Sequence, residues 1–113
     1  MKIIDTKISI AELKEAAEQV FGDFVKVVVD LERVKMAIGG ELHADEEAVL
    51  LGNGSKQENL WGINLYPANF GGEDFIEFDS MVNIKPGLGN FSRAIKSEEV
   101  RKKIKEAVAK LVG

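Results

Sequence analysis

The spacing of apolar residues changes along the chain, and this change restricts the possible folds more than any single motif does. Near the start, Ile10, Leu13, Ala17 and Val20 recur at the three- and four-residue spacing of an amphipathic helix. The last segment, residues 97–113, repeats this spacing. Between them lie β-branched and alternating runs that are typical of strands. The sequence therefore predicts an α+β fold.

Four runs in the middle of the chain predict two antiparallel hairpins. The first hairpin would consist of FVKVVVDL (24–31) and VKMAIGG (34–40). The second hairpin would consist of LWGINLYP (60–67) and FIEFDSMVNI (75–84), joined by the loop ANFGGED (68–74). Together with a short strand at the start, they predict an antiparallel, or mixed, sheet of about four to five strands. The N-terminal and C-terminal helices are predicted to pack on this sheet.

The helix ends carry recognisable local signals. Ser9 and Glu12 have the spacing of a capping box, and Gly22 follows the last apolar pair of the first helix. Ser97 is a good N-cap for the last helix, because a serine hydroxyl accepts a hydrogen bond from a free backbone N–H of the first turn. These signals fix where both helices begin.

Length and composition exclude several classes of protein. The 113 residues suit one globular domain over residues 1–113, with 45% hydrophobic and 30% charged residues. No cysteine is present, so thiolate chemistry and disulfides are excluded. The net charge of −4 disfavours nucleic-acid and membrane partners. No signal peptide or membrane span is evident, so a cytoplasmic location is expected, and no cofactor motif appears.

The only histidine, in GGELHADEEAVLLG, has two interpretations. His43 and Asp45 would share one face of a strand and supply half of a metal or acid-base site, with Glu77 or Asp79 as a third group. The alternative is a short helix with Asp45 as N-cap, two glutamates in its first turn and Gly52 at its end. The second interpretation needs fewer assumptions, and two ligands alone do not make a metal site.

The segment NIKPGLGNFSRAIKS contains the other candidate site. It leaves a predicted strand through Gly87 and Gly89 and then presents Asn90, Ser92 and Arg93. Backbone N–H groups beside a guanidinium can bind a phosphate or carboxylate. The alternative is a connection in which the glycines serve the turn and the polar side chains bond the loop's own backbone.

Two functional hypotheses follow from these segments. In the first, the Gly87–Arg93 loop meets the polar face of the second hairpin and binds a small anionic or polar molecule through Asn64, Asp79, Asn83 and Arg93, with His43 suited to acid-base work. In the second, the chain is a homo-oligomer or a partner-binding module without catalytic activity. No motif specifies a reaction, so the sequence leaves open whether the protein is an enzyme.

Four stretches of the chain resemble a known family. They are GGELHADEEAVLL, GSKQENLWGINLYP, EFDSMVNIKP and GNFSR. With them, the chain resembles a family of small bacterial and archaeal proteins classified as a domain of unknown function, nearly from end to end. The resemblance implies one compact fold and transfers no catalytic role to any residue.

Overall fold

A computed structural model describes residues 1–113 and shows an α+β fold with five strands, three α-helices and four short 3-10 turns. The helices and strands, in chain order, are β1 (Lys2–Ile4), α1 (Ile10–Val20), β2 (Val25–Asp30), β3 (Lys35–Ile38), α2 (His43–Gly52), β4 (Leu60–Leu65), β5 (Ile76–Glu77) and α3 (Glu98–Leu111). The sheet order is β1-β3-β2-β4-β5, and every neighbouring pair is antiparallel. The predicted fold class is confirmed.

The main core lies on the face of the sheet that α1 and α3 cover. Leu13 of α1 and Ile104 of α3 are fully buried there against strand residues such as Val27 and Ile63. Burying a large aliphatic side chain contributes roughly 1.5–3 kcal/mol, so this layer supplies most of the apolar stabilisation. We call it the two-helix face.

The opposite face carries a smaller apolar cluster under α2. Val28, Ala37 and Leu60 of the sheet contact Leu50 of α2, and all four are fully buried. We call it the α2 face. Gly62 lies on this face, where a Cβ atom would come within 2.5 Å of the Ser80 Cβ. Only glycine therefore permits this approach of the 80–82 segment to the sheet.

The local helix signals are confirmed. Glu12 N–H donates to Ser9 Oγ at 3.1 Å, and Ser9 N–H donates to Glu12 Oε1 at 3.3 Å, which completes the capping box. Gly22 follows α1 with a φ of 98°, a conformation that favours glycine. At α3, Val100 N–H donates to Ser97 Oγ at 3.2 Å.

The second hairpin differs from its prediction. The strand expected over residues 75–84 is regular only at Ile76–Glu77, and it continues as an isolated bridge between Asp79 and Ala94 followed by a 3-10 turn at Met81–Asn83. The strand is interrupted because the side-chain amide of Asn83, rather than the backbone of a neighbouring strand, forms the hydrogen bonds to Gly62 of β4. Its Oδ1 accepts from Gly62 N–H at 2.7 Å, and its Nδ2 donates to Gly62 O at 2.8 Å.

Within the 42–60 segment, the stretch that contains His43 forms a helix rather than a strand. However, α2 begins at His43 and its N-cap is Leu42, which provides no side-chain hydrogen bond. Asp45 was therefore predicted wrongly as the N-cap, and it lies exposed in the first turn. Gly52 ends the helix as expected. None of the helices has the length and apolar character needed to cross a membrane.

Candidate functional site

Helix α2 places the imidazole of His43 against the sheet. Its Nε2 lies 2.7 Å from the carbonyl oxygen of Ile63, and since a carbonyl only accepts, Nε2 carries the proton. Burial lowers the pKa of His43 from 6.5, while the bond to Ile63 opposes this shift. The ring is therefore largely neutral at pH 7, and its Nδ1 lone pair forms no hydrogen bond within the protein.

Asn64 of β4 lies beside this ring. The Ile63 carbonyl belongs to the peptide group that joins Ile63 to Asn64, and Asn64 stands in register with Lys26 on one side and Glu77 on the other. Its Nδ2 donates to Glu77 Oε1 at 2.8 Å, which fixes the orientation of the amide. The Oδ1 atom is then buried without any hydrogen-bond partner. An orphaned acceptor of this kind is uncommon in folded proteins.

Asp79 and Arg93 form an ion pair at the edge of the same region. Arg93 Nε donates to Asp79 Oδ1 at 2.8 Å, and Arg93 Nη2 donates to Asp79 Oδ2 at 3.2 Å. The guanidinium lowers the pKa of Asp79. Both side chains are close enough to His43 to act on its pKa in opposite directions. His43, Asp79 and Arg93 of the small-molecule hypothesis therefore lie in one region of the α2 face, although neither Asp79 nor Arg93 forms a hydrogen bond with the imidazole.

We refer to Lys26, His43, Asn64, Glu77, Asp79 and Arg93 as the His43 cluster. It lies on the α2 face, at the end of the sheet where α2 begins. Tyr66 borders it, and the Tyr66 hydroxyl donates to Glu77 Oε1 at 3.2 Å. The pKa of Tyr66 is raised by burial and by the neighbouring Glu77 carboxylate.

The loop from Gly87 to Arg93 contributes only its last residue to this cluster. Asn90 Nδ2 donates to the carbonyls of Asn83 at 2.7 Å, Ala94 at 2.9 Å and Ser92 at 3.0 Å, while its Oδ1 accepts from Lys96 N–H. The Ser92 hydroxyl donates to Ala94 O at 3.1 Å. These groups hold the loop in shape, as the alternative interpretation of the loop expected.

The remaining predicted ligand residues have mainly structural surroundings. Asn83 is fully buried and bonds Gly62 and Arg93 through its amide, so it offers no free group to a ligand. Gly89 has a φ of 78° and closes the turn that begins at Pro86. Gly87 is exposed. A ligand role for the two glycines stays a prediction, whereas the side chains of Asn83, Asn90 and Ser92 already form hydrogen bonds within the protein.

The comparison with known families agrees with the resemblance seen in the sequence. Residues 2–111 match the family model described as "Protein of unknown function (DUF5674)". The chain belongs to this family. No curated protein and no solved structure shows a significant match to the chain. Membership in this family thus brings no named activity to the chain.

The metal interpretation of His43 and Asp45 is not supported. On a helix, residues two apart project about 200° from each other, so the two side chains diverge. No group of three or more histidine or carboxylate residues is arranged to hold a metal ion. The cluster is instead a neutral imidazole and an amide oxygen set among two cations and two carboxylates.

Glu46 is a buried acid that the sequence interpretation placed simply in a first helical turn. Its side chain is fully buried between α2 and the sheet, and Oε2 accepts from Gly40 N–H at 3.0 Å while Oε1 has no partner. Burial raises the pKa of Glu46 to about 9. Its spacing from His43 and Leu50, both buried on one side of α2, is the sequence signal that indicates this position.

Proposed function

We propose that the protein binds a small polar ligand at the His43 cluster. The observation that carries the proposal is the buried Oδ1 of Asn64, an acceptor with no partner in the protein. Leaving such an atom unbonded costs about 1–3 kcal/mol, and a ligand donor would recover that cost once the side chains that cover the amide move aside to admit it. The Nδ1 of His43, which forms no hydrogen bond within the protein, is a second acceptor, on a ring hydrogen-bonded to the carbonyl of Ile63, the residue that precedes Asn64.

The charges around these acceptors define the ligand class. Lys26 forms no salt bridge, and Arg93 uses Nε and Nη2 on Asp79 but leaves Nη1 free. A ligand with an N–H or O–H donor would bond Asn64 and His43, while an anionic group of the same ligand would face these cations. A small molecule that carries both an amino group and a carboxylate has this combination.

The test separates the two halves of such a ligand. Glycine, methylammonium and acetate would be titrated into isotope-labelled protein while the side-chain amide signal of Asn64 and the ring nitrogens of His43 are followed by NMR. We expect glycine to shift both sets of signals at lower concentration than either half does. Arg93→Gln should weaken this response, and Lys103→Gln, an exposed change on α3, should not. No response at Asn64 and His43 to any of the three probes would contradict the proposal.

A second candidate function rests on exposed apolar side chains in residues 81–91. Met81, Ile84, Leu88 and Phe91 are 63%, 39%, 52% and 73% exposed. Such a concentration in one segment is typical of a protein contact surface. We propose as the alternative that this segment mediates homo-oligomerisation, in a protein that acts in the cytoplasm without nucleic-acid or membrane partners.

Oligomerisation has a direct test. Phe91→Ser should abolish a concentration-dependent dimer in sedimentation velocity, because it removes the most exposed apolar side chain of the segment. Phe70→Ser is the matched control, since Phe70 is half exposed but lies in another part of the surface. A strict monomer at every protein concentration would rule out this function.

A further inference from the structure

A groove on the two-helix side of the molecule is separate from the His43 cluster. It lies between the 70–78 segment and the side of α3 that carries Arg101, Lys105 and Val108, and its volume is about 670 Å³. Ile76 lines this groove, whereas Glu77 points to the other face, because successive residues of a strand alternate. We call it the α3 groove.

The floor of the α3 groove is apolar and partly open to solvent. Phe70 is half exposed and meets Phe75 edge to face, with ring centroids 5.2 Å apart. Phe78, Val108 and Val112 extend this surface along the helix. An aromatic ring exposed in a concave site gains binding energy only when an apolar partner removes it from water.

Arg101 provides a fixed cation at the groove. Its Nε donates to Ile95 O at 2.6 Å, and its guanidinium lies 4.8 Å from the centroid of the Phe78 ring. No carboxylate of the protein pairs with it, because the only salt bridges are Asp79–Arg93 and Glu99–Lys103. The terminal Nη atoms of a guanidinium held in this way are ready to bind a carboxylate.

The net charge of the lining fits an anion. Lys105, one turn after Arg101 on the same side of α3, also lines the groove and is unpaired, while Glu73 is the only acidic lining residue. Two cations therefore face one anion. The volume falls within the range of about 300–1,000 Å³ that is typical of small-molecule sites.

We propose that the α3 groove binds an anionic amphiphile of medium chain length. The apolar chain would lie on Phe70, Phe78 and Val108, with the carboxylate on Arg101 and Lys105. This ligand class follows from the combination of an apolar floor with an immobilised, unpaired guanidinium, and the proposal is independent of the one made for the His43 cluster.

The test uses three probes that separate chain from charge. Decanoate below its micellar concentration, decanol and acetate would each be titrated while the backbone amide signals of residues 70–78 and 101–112 are followed by NMR. We expect decanoate to bind more tightly than decanol and acetate to give no response. Ala109→Leu, at an exposed position that lines the groove, should block binding by filling the space without disturbing the core.

Charge variants complete the experiment. Lys105→Gln and Arg101→Gln should each weaken decanoate binding, by about tenfold for Arg101→Gln, which corresponds to 1.4 kcal/mol. Lys102→Gln, an exposed change on α3 outside the groove, should leave binding unchanged. Decanol binding as tightly as decanoate, or equal losses in Lys102→Gln and Lys105→Gln, would overturn the proposal, as would no decanoate response at all.

Discussion

Asn83→Asp is expected to lower the free energy of unfolding by about 3–5 kcal/mol at neutral pH. The wild-type Nδ2 donates to Gly62 O at 2.8 Å and to Arg93 O at 3.0 Å, at a position with no solvent exposure. In the variant an anionic oxygen faces both carbonyls, so two hydrogen bonds are replaced by repulsion in a buried site. A domain of this size has a total stability of only about 5–15 kcal/mol, so the variant should be marginally folded.

Urea unfolding at two pH values would test this result. Protonation of the introduced carboxyl restores one donor, so part of the lost stability should return as the pH falls through the raised pKa of that carboxyl. Asn69→Asp is the matched control, because Asn69 is exposed and its amide makes only a 3.5 Å contact with Asp74 O. A similar loss of stability in both variants would contradict a specific role for Asn83.

Glu46→Gln is expected to remove a large pH dependence of stability. The pKa of Glu46 rises from 4.5 to about 9 because of burial and, less strongly, the nearby Asp45; the Gly40 N–H, Lys26 and the amino group of Met1 oppose the rise. At pH values between 4.5 and about 9, Glu46 is therefore protonated in the folded state and ionised in the unfolded state. The stability therefore falls as the pH rises, by about 1.4 kcal/mol per pH unit.

The comparison requires unfolding curves between about pH 5 and pH 8. Over this interval wild type should lose about 4 kcal/mol from this one group, and Glu46→Gln, which cannot ionise, should lose far less. The variant should therefore be close to wild type at the acidic end and clearly more stable at the alkaline end. Glu41→Gln, on an exposed side chain, should keep the wild-type slope. A slope unchanged by Glu46→Gln would show that this carboxyl ionises normally in the folded protein.

The elements predicted correctly from the sequence are those determined by neighbouring residues. The capping box at Ser9 and Glu12 and the cap at Ser97 depend on contacts within three positions, so local spacing was enough to place α1 and α3. The first hairpin was also predicted, since β2 and β3 are regular strands joined by a short turn.

The incorrect predictions depend on distant contacts. Apolar and polar residues alternate over residues 75–84, as in a strand. However, the Asn83 side chain forms hydrogen bonds with Gly62, 21 positions away, and residues 81–83 form a 3-10 turn instead. Sequence alone cannot show that a side chain will take the place of a backbone. The burial of Glu46 was missed for the same reason, because it depends on the approach of Gly40 and the sheet to α2.

The candidate site was predicted in part. His43, Asn64, Asp79 and Arg93 were named from residue type, and the register of β4 with β5 brings Asn64 beside Glu77 and Asp79. Lys26 was not named, because its place beside Asn64 follows from the pairing of β2 with β4 rather than from any motif. The pairing of strands, more than the composition of the loop, determines which polar groups meet.

The bidentate contact between Asn83 and Gly62 also bears on whether a strand of another chain can pair with this margin of the sheet. An unpaired strand edge is a template on which another chain can assemble, and β5 covers only two residues of β4. At Gly62 the N–H and C=O groups of β4 that face away from β2 are hydrogen-bonded to the side-chain amide of Asn83. A side-chain amide has no adjoining backbone groups with which a further strand could pair. The sheet is thus terminated chemically at this margin, and growth of an intermolecular β-ladder there would first have to expel a fully buried asparagine.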